Sequence, residues 1–359
     1  MQYTLRFISI AYVIFLSVGL YAHVEIIPIL LATAKRDAWV CVLLTLIFLP
    51  VWIFLLYKIV SITKKQSIIK LLKDQASSFS YYLLLLPFSL FLLINAYITA
   101  KDILIWSQLS YMQGFNSFTL AFMLLLFCLI CTESGLFSIG ILSSLLCPIV
   151  IFLGFFVSFA NIKKKNYELL FPVFSEGYLP LAKGLIYTSL PVIELFIIIF
   201  LTPVLKKTIT KKQLLLVGTF IIFLMFGPTV GAIVEFGPEQ AAKYRHPAYE
   251  QWRIITIGEY FSHADFFAIF QWLSGGAIRI SLYVLIASKI ITKGIHKVKT
   301  IRILYAVLFA CCIYSIDQSI FSNFIYEYYR PISFFILPIQ ISILAIYLVK
   351  NKKNWEGVE

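Results

Sequence analysis

The chain has 359 residues, 61% of them apolar and only 13% charged, with a mean hydropathy of +0.92. One soluble core cannot hide that much apolar surface, so lipid must cover the rest and a soluble globular protein is excluded. A formal net charge of +13 raises the question of a nucleic-acid partner, but the placement of the cations argues for a membrane surface and no nucleic acid.

In hydrocarbon no water satisfies backbone N–H and C=O groups, so spanning elements must be helices or a closed barrel. Apolar stretches of about 20 residues choose helices, since barrel strands would alternate over about ten. The pattern predicts about ten spans, near residues 8–33, 38–58, 80–105, 117–133, 136–160, 181–204, 213–235, 264–289, 301–321 and 331–349. The whole chain, 1–359, reads as a single polytopic membrane domain.

The first span continues past Pro28 without a polar break or an A-x-A site, so it reads as a span and not as a secretory signal. It carries Ser17-Val18-Gly19-Leu20-Tyr21-Ala22-His23-Val24-Glu25, which sets Gly, His and Glu into an apolar helix. Between spans two and three, Ser61 to Ser78 places Ile68, Leu71 and Leu72 against Lys64, Lys65, Lys70 and Lys73, as an interfacial helix would. The third span holds Ile94 and Asn95, expected to line a central cavity, followed by Lys101 and Asp102 nearing the outer interface. All six cysteines lie in apolar segments, where they act as small hydrophobes; Cys128-Leu-Ile-Cys131 has a metal or redox spacing but no second ligand pair.

The sixth span reads Tyr187-Thr188-Ser189-Leu190-Pro191, followed by Glu194. Pro191 removes one helix hydrogen bond and frees a carbonyl. Breaks in the first and sixth helices form the pair expected of a five-plus-five inverted repeat, here about 8–160 and 181–349, although no tandem sequence repeat is visible. An unwound helix offers N–H groups to an anion and carbonyls to an ammonium, which makes Gly19 and Pro191 candidate ligand contacts.

Between spans seven and eight, Tyr249, Trp252 and Tyr260 suit a segment, Tyr249 to Phe261, lying at the outer interface. The eighth span supplies small residues for close helix approach in Gln271-Trp272-Leu273-Ser274-Gly275-Gly276, then Arg279 at membrane depth. A central Arg, Lys or Asp costs about 2.5–3.5 kcal/mol, so His23, Glu25, Asn95, Glu194 and Arg279 are candidates for function, with an interhelical ion pair of Glu194 and Arg279 the structural alternative.

A cytoplasmic N-terminus places Arg6, Lys58, Lys64, Lys65, Lys70, Lys73, Lys206, Lys207, Lys211, Lys212, Lys289, Lys293, Lys297, Lys299, Arg302, Lys350, Lys352 and Lys353 inside. It leaves Lys35, Arg36, Lys163, Lys164, Lys165, Lys243, Arg245, Arg253 and Arg330 outside. That twofold excess favours cytoplasmic N- and C-termini, with the run Lys163-Lys164-Lys165 as the exception.

No G-x-x-x-x-G-K-[ST], H-E-x-x-H, G-x-S-x-G or dinucleotide fingerprint occurs, so no enzyme constellation, cofactor or metal site is expected. A different resemblance does occur. Gly227-Pro228, Glu235-Phe236-Gly237-Pro238-Glu239-Gln240-Ala241, Pro247, Trp252-Arg253, Ile257-Gly258-Glu259-Tyr260, Asp265 and Gln271-Trp272-Leu273-Ser274-Gly275, with Arg36-Asp37-Ala38-Trp39-Val40, resemble the permease-like B subunit of spore germinant receptors.

That resemblance implies the amino acid–polyamine–organocation (APC) fold, the LeuT-like bundle, in the inner membrane of a dormant spore. It implies a larger A subunit and a lipoprotein C subunit as partners, and a role in binding a small nutrient (amino acid, sugar or nucleoside) that triggers germination. The family's Gly-x-Gly-like break before Leu-Pro is replaced here by Leu20 to Pro28, with Gly19 earlier. The expected ligand contacts are Gly19, Tyr21, His23, Glu25, Ile94, Asn95, Ser189, Pro191, Glu194, Ser274, Gly275 and Arg279. The competing expectation is a proton- or ion-coupled amino-acid transporter, with Glu25 or Glu194 carrying the proton.

Overall fold

A computed structural model describes residues 4–175, 177–256 and 264–351. Among these the chain is 84% helix with no strands, apart from one parallel bridge, Leu5 to Leu205. In chain order the helices are α1 (Phe7–Ile14), α2 (Ile27–Ala34), α3 (Ala38–Thr63), α4 (Ile68–Gln75), α5 (Ser78–Ser110), α6 (Ser117–Glu133), α7 (Gly135–Ala160) and α8 (Tyr178–Glu194). There follow α9 (Ile198–Leu201), α10 (Lys211–Phe236), α11 (Pro238–Ala241), α12 (Pro247–Arg253), α13 (Phe266–Ile291), α14 (Val298–Ile313), α15 (Gln318–Asn323) and α16 (Arg330–Lys350). Seven helical stretches are long and apolar enough to cross a membrane, the first running from Phe7 to Thr63 over 57 residues, with Ser117–Glu133 a shorter apolar helix. The protein is a multi-pass membrane protein.

Local chemistry sets many of the helix ends. The side chains of Ser67, Ser77 and Asn116 accept from backbone N–H groups at the starts of α4, α5 and α6. Thr210 and Gln213 form a reciprocal capping box that opens α10. At the other end of α10, Gly237 takes φ +80°, a left-handed conformation glycine adopts without strain. The ninth predicted stretch stops early. Helix α14 ends at Ile313, because Tyr314 turns extended and Asp317 then caps the separate helix α15. The interfacial stretch after α3 contains α4, which buries Ile68, Ile69, Leu71 and Leu72 and exposes Lys70 and Lys73.

Packing divides the helices by depth. In the most apolar window of Tyr178–Val204, 89% of residues are buried, and in that of Phe266–Ile291, 78%. The corresponding share is 33% in Gly135–Ala160 and in Gln318–Lys350, whose outer faces show Phe152, Phe159, Phe335 and Ile339. Bare aromatic and aliphatic side chains on that scale suit a lipid boundary.

The two ends of the bundle gather different loops. At one, Leu5 N–H donates to Val204 O at 2.6 Å and Lys206 N–H to Leu5 O at 2.9 Å, Lys65 Nζ reaches Lys206 O at 2.7 Å, and Lys293 contacts Ser78 and the Tyr81 and Tyr82 rings. At the other, Phe174 N–H donates to Asp37 Oδ1 at 2.7 Å and Lys35 pairs with Glu239 at 3.0 Å. The lysine run sits at this second end. Lys164 bonds Ile254 O, and Lys165 lies 3.8 Å from Glu235 and donates to Ser158 O.

Candidate functional site

The first helix is not a uniform α-helix. Between α1 and α2 it runs through two π-helical segments, Phe15–Gly19 and Tyr21–Ile26, yet Leu20 and Ile27 keep right-handed helical dihedrals. In an ordinary helix of 3.6 residues per turn, positions four apart drift sideways by about 40° each step. Wider i→i+5 turns offset that drift. Residues repeating every four therefore stay on one side: Ser17, Tyr21 and Glu25 on one flank, Leu16, Leu20 and Val24 with Gly19 and His23 on the other.

The second flank borders a cavity of about 520 Å³ enclosed by the first helix, α7, α10, α12 and α13. A volume of that size is typical of small-molecule sites. Its floor is Gly19, Leu20 and Gly275; a Cβ on Gly275 would lie 2.9 Å from Leu16 O, so glycine is what lets α13 approach the first helix. Gln271 donates to Val150 O at 2.9 Å and accepts from Trp252 Nε1 at 3.1 Å, while Gln251 donates to Pro228 O at 2.9 Å. These two amides tie α7, α10, α12 and α13 together around the space. One corner is aromatic: Trp106 and Trp272 centroids are 4.3 Å apart, His246 and Trp272 4.7 Å, Trp106 and Tyr249 5.2 Å. Burial, with Arg245 beside it, pushes the His246 imidazole pKa down to about 3, and burial raises that of the Tyr249 phenol.

The first flank faces an ionic seam. Arg279, fully buried, donates from Nη1 and Nη2 to both carboxylate oxygens of Glu194 at 2.9 and 2.8 Å. It also donates to Ser17 O at 3.0 Å, Thr99 Oγ1 at 3.1 Å and Asn95 Oδ1 at 3.4 Å, and bonds the Tyr283 hydroxyl. Thr99 in turn donates to Glu25 Oε1 at 2.9 Å, and Arg330 to Glu25 Oε2 at 3.2 Å. The Tyr21 ring lies between both guanidinium groups, 4.5 Å from Arg279 and 4.9 Å from Arg330. Two cations and two carboxylates balance, which is how buried charge persists at such depth.

The expected contacts thus separate into groups. Gly19, His23 and Gly275 reach the cavity, where His23 Nδ1 sits 3.2 Å from Leu224 O. Tyr21, Glu25, Asn95, Glu194 and Arg279 join the seam. Ser189, Pro191 and Ser274 are buried without lining the cavity. Ile94 is a correction: it is 41% exposed on the outer face of α5, because its neighbour Asn95, about 100° away around the helix, takes the inward position. The open backbone expected at Gly19 and Pro191 is also corrected. Both helices stay helical and change pitch, wide at 15–26 and tight at Leu195–Ile197 just after Pro191, and the carbonyl of Ser17 accepts from Arg279.

Two further placements differ from expectation. Trp252 is buried at the cavity and not at a surface interface, since Gln271 accepts from its indole N–H; Tyr260 and Phe261 of that stretch, like Ile257, Gly258, Glu259, Lys352 and Lys353, lie outside the described residues. Arg330 is not an outer-loop cation but is 3% exposed in the seam. Its position directly before the predicted span 331–349 hid it, as its partner Glu25 lies 305 positions away. Trp106, Gln251 and His246 were likewise unmarked by any spacing.

The segments that carry the family resemblance supply much of the cavity wall: Gly227, Pro228, Trp252, Gln271, Trp272 and Gly275. Comparison with known proteins agrees. Residues 5–323 match the spore germination protein family of permease type. The chain is 33% identical over 353 residues to spore germination protein XB of Bacillus anthracis, covering 97% of this chain and 99% of that protein. A cavity walled by the family's motif segments, in a multi-pass helical membrane protein alignable end to end with a germination protein, makes this chain a member of the spore germination protein family.

Proposed function

We propose that the chain is the germinant-binding, permease-like B subunit of a spore germinant receptor, working with a larger A subunit and a lipoprotein C subunit in the inner spore membrane. A small nutrient, of the amino acid, sugar or nucleoside kind, lodges in the cavity beside the first helix and starts germination by favouring one packing of the bundle over another. Only a difference in affinity between two states can drive such a shift. The observation that carries the reading is the 520 Å³ cavity built on the π-helical first span. The LeuT-like ten-helix bundle belongs to the same proposal, supported by pitch changes midway along the first and sixth predicted spans. Cytoplasmic termini are supported by the gathering of Leu5, Lys65, Lys206 and Lys293 at one end. The transporter alternative is weakened because Glu25 and Glu194, its proposed proton carriers, are each held by an arginine.

Two glycines allow a test that spares the fold. A Cβ on Gly154 would meet nothing nearer than Gln271 Nε2 at 4.0 Å, and one on Gly227 nothing within 4 Å, and both residues line the cavity. Gly154→Leu and Gly227→Leu begin with a Cβ in open space and extend a side chain into the cavity. Spores carrying either variant at wild-type receptor level are expected to lose at least tenfold in nutrient sensitivity. Unchanged sensitivity in both would refute the site.

A further inference from the structure

Resting on that reading, we infer that the cavity takes an uncharged, ring-bearing molecule that enters sideways from the bilayer, and not a zwitterion arriving from water.

The lining chemistry selects the class. Among the described lining residues the only Lys, Arg, Asp or Glu is Lys165, and it is already held by Ser158 O at 2.9 Å, Ser158 Oγ at 3.0 Å and Glu235 at 3.8 Å. The arginines and glutamates of the seam lie on the other flank of the first helix and are bonded to one another. A zwitterion in the cavity would bring two charges to a wall of Phe15, Phe220, Phe223 and Ile151. Burying a charge without a partner is far more costly than burying a neutral polar group. A polyol faces the same difficulty in milder form, with several hydroxyls and few acceptors.

The aromatic corner selects a ring. Trp106, Trp272, His246 and Tyr249 form a cluster of mutually tilted faces on the cavity wall, the arrangement into which another aromatic inserts by edge or offset stacking. In that corner His246 is 8% exposed and Trp272 4%, and the Trp272 indole N–H and both His246 ring nitrogens find no hydrogen-bond partner among the described residues. An unmet buried polar group costs about 1–3 kcal/mol. A neutral ring bearing one donor and one acceptor, docked against this corner, supplies those partners once the Trp272 or His246 ring turns toward the cavity.

The route follows from exposure. Phe155 on α7 and Phe223 on α10 line the cavity and are 59% and 53% exposed. Both rings thus border the cavity and also show surface on the outside of the bundle, and the cavity is partly open and not sealed, so its opening is placed on this side. Phe223 stands at the midpoint of α10, a helix of 26 residues. At that height the outer face meets hydrocarbon, which dissolves neutral rings and excludes zwitterions.

The test compares molecules of one shape and different charge. Tritiated benzamide is titrated against the purified full-length chain in nanodiscs, with unlabelled benzoate and L-phenylalanine as competitors. Benzamide is expected to bind saturably, each competitor at least tenfold more weakly. Gly154→Leu and Trp272→Phe are each expected to weaken benzamide at least tenfold, the latter keeping a ring while removing the N–H. Tighter binding of benzoate or L-phenylalanine overturns the ligand class and leaves the germinant site standing. Benzamide uptake unaltered by Gly154→Leu is partition into lipid and overturns the inference, as does a phospholipid retained by the wild type and lost by that variant in native mass spectrometry. Failure of the germinant site itself is read separately, from unchanged nutrient sensitivity in Gly154→Leu and Gly227→Leu spores.

Discussion

The two flanks of the first helix solve opposite problems within a few ångströms of each other. Toward α13 and α8, polar side chains at membrane depth are closed into a seam in which the arginine and carboxylate charges meet one another. Toward α7 and α10, apolar side chains leave an opening, and the corner beside it holds polar nitrogens without partners among the described residues. A network of paired charges resists change, although Arg330 Nε and Nη1 find no partner among the described residues, and an incompletely filled wall invites it. On the proposed reading, residues that look functional by charge serve the structure, and residues that look like packing build the candidate site.

The largest effect comes from breaking the seam. Arg279→Ala strands Glu194 in the interior and is expected to cost about 3–5 kcal/mol, read as a drop in unfolding temperature of the detergent-solubilised protein. The double variant Arg279→Met with Glu194→Met is expected to recover most of that loss, because removing both charges leaves none unpaired. A stable Arg279→Ala protein with a lost nutrient response would reverse the comparison and place the ligand in the seam.

The next contrast lies on the cavity side. Gly275→Ala forces a methyl against Leu16 O and Leu20 and is expected to destabilise by about 1–3 kcal/mol. Gly154→Ala, with open space before it, is expected to stabilise by about 0.5–1 kcal/mol through helix propensity. Equal effects in thermal unfolding would mean that the cavity closes in the membrane.

A smaller effect concerns pH. His246 takes up a proton only near pH 3 in the folded chain, whereas an unfolded histidine does so near 6.5. Its neutral form thus contributes full stability above about pH 6.5, lost progressively as pH falls toward 3. His246→Gln is expected to flatten the acid limb of the unfolding-temperature profile; a parallel profile would show the ring solvated. Smallest of all, Glu239→Ala removes the exposed pair with Lys35 and is expected to change stability by less than about 1 kcal/mol.

Hydropathy alone gave the helical class, and most boundaries fell within a few residues, because long apolar runs leave few alternatives. The span at 301–321 was overdrawn because Tyr314 to Asp317 interrupt a run whose hydropathy stays high. Glu194 and Arg279 were legible as a possible pair from depth alone. Arg330 was not: a cation before a span is normally solvated, and only the fold brings Glu25 to it. The cavity was invisible for a related reason. Trp106, His246 and Trp272 come from separate segments, and no spacing in the chain announces that three rings share a corner.

The first helix stores its irregularity as loose winding and not as a break. Taking up one residue of that slack would rotate everything beyond it by about 100°, withdrawing Leu20 and His23 from one neighbour while turning Tyr21 and Glu25 away from another. The two faces are geared to one shaft. On the proposed reading, a guest that wedges against one side would exert a torque on the other, and no hinge would be needed to carry it.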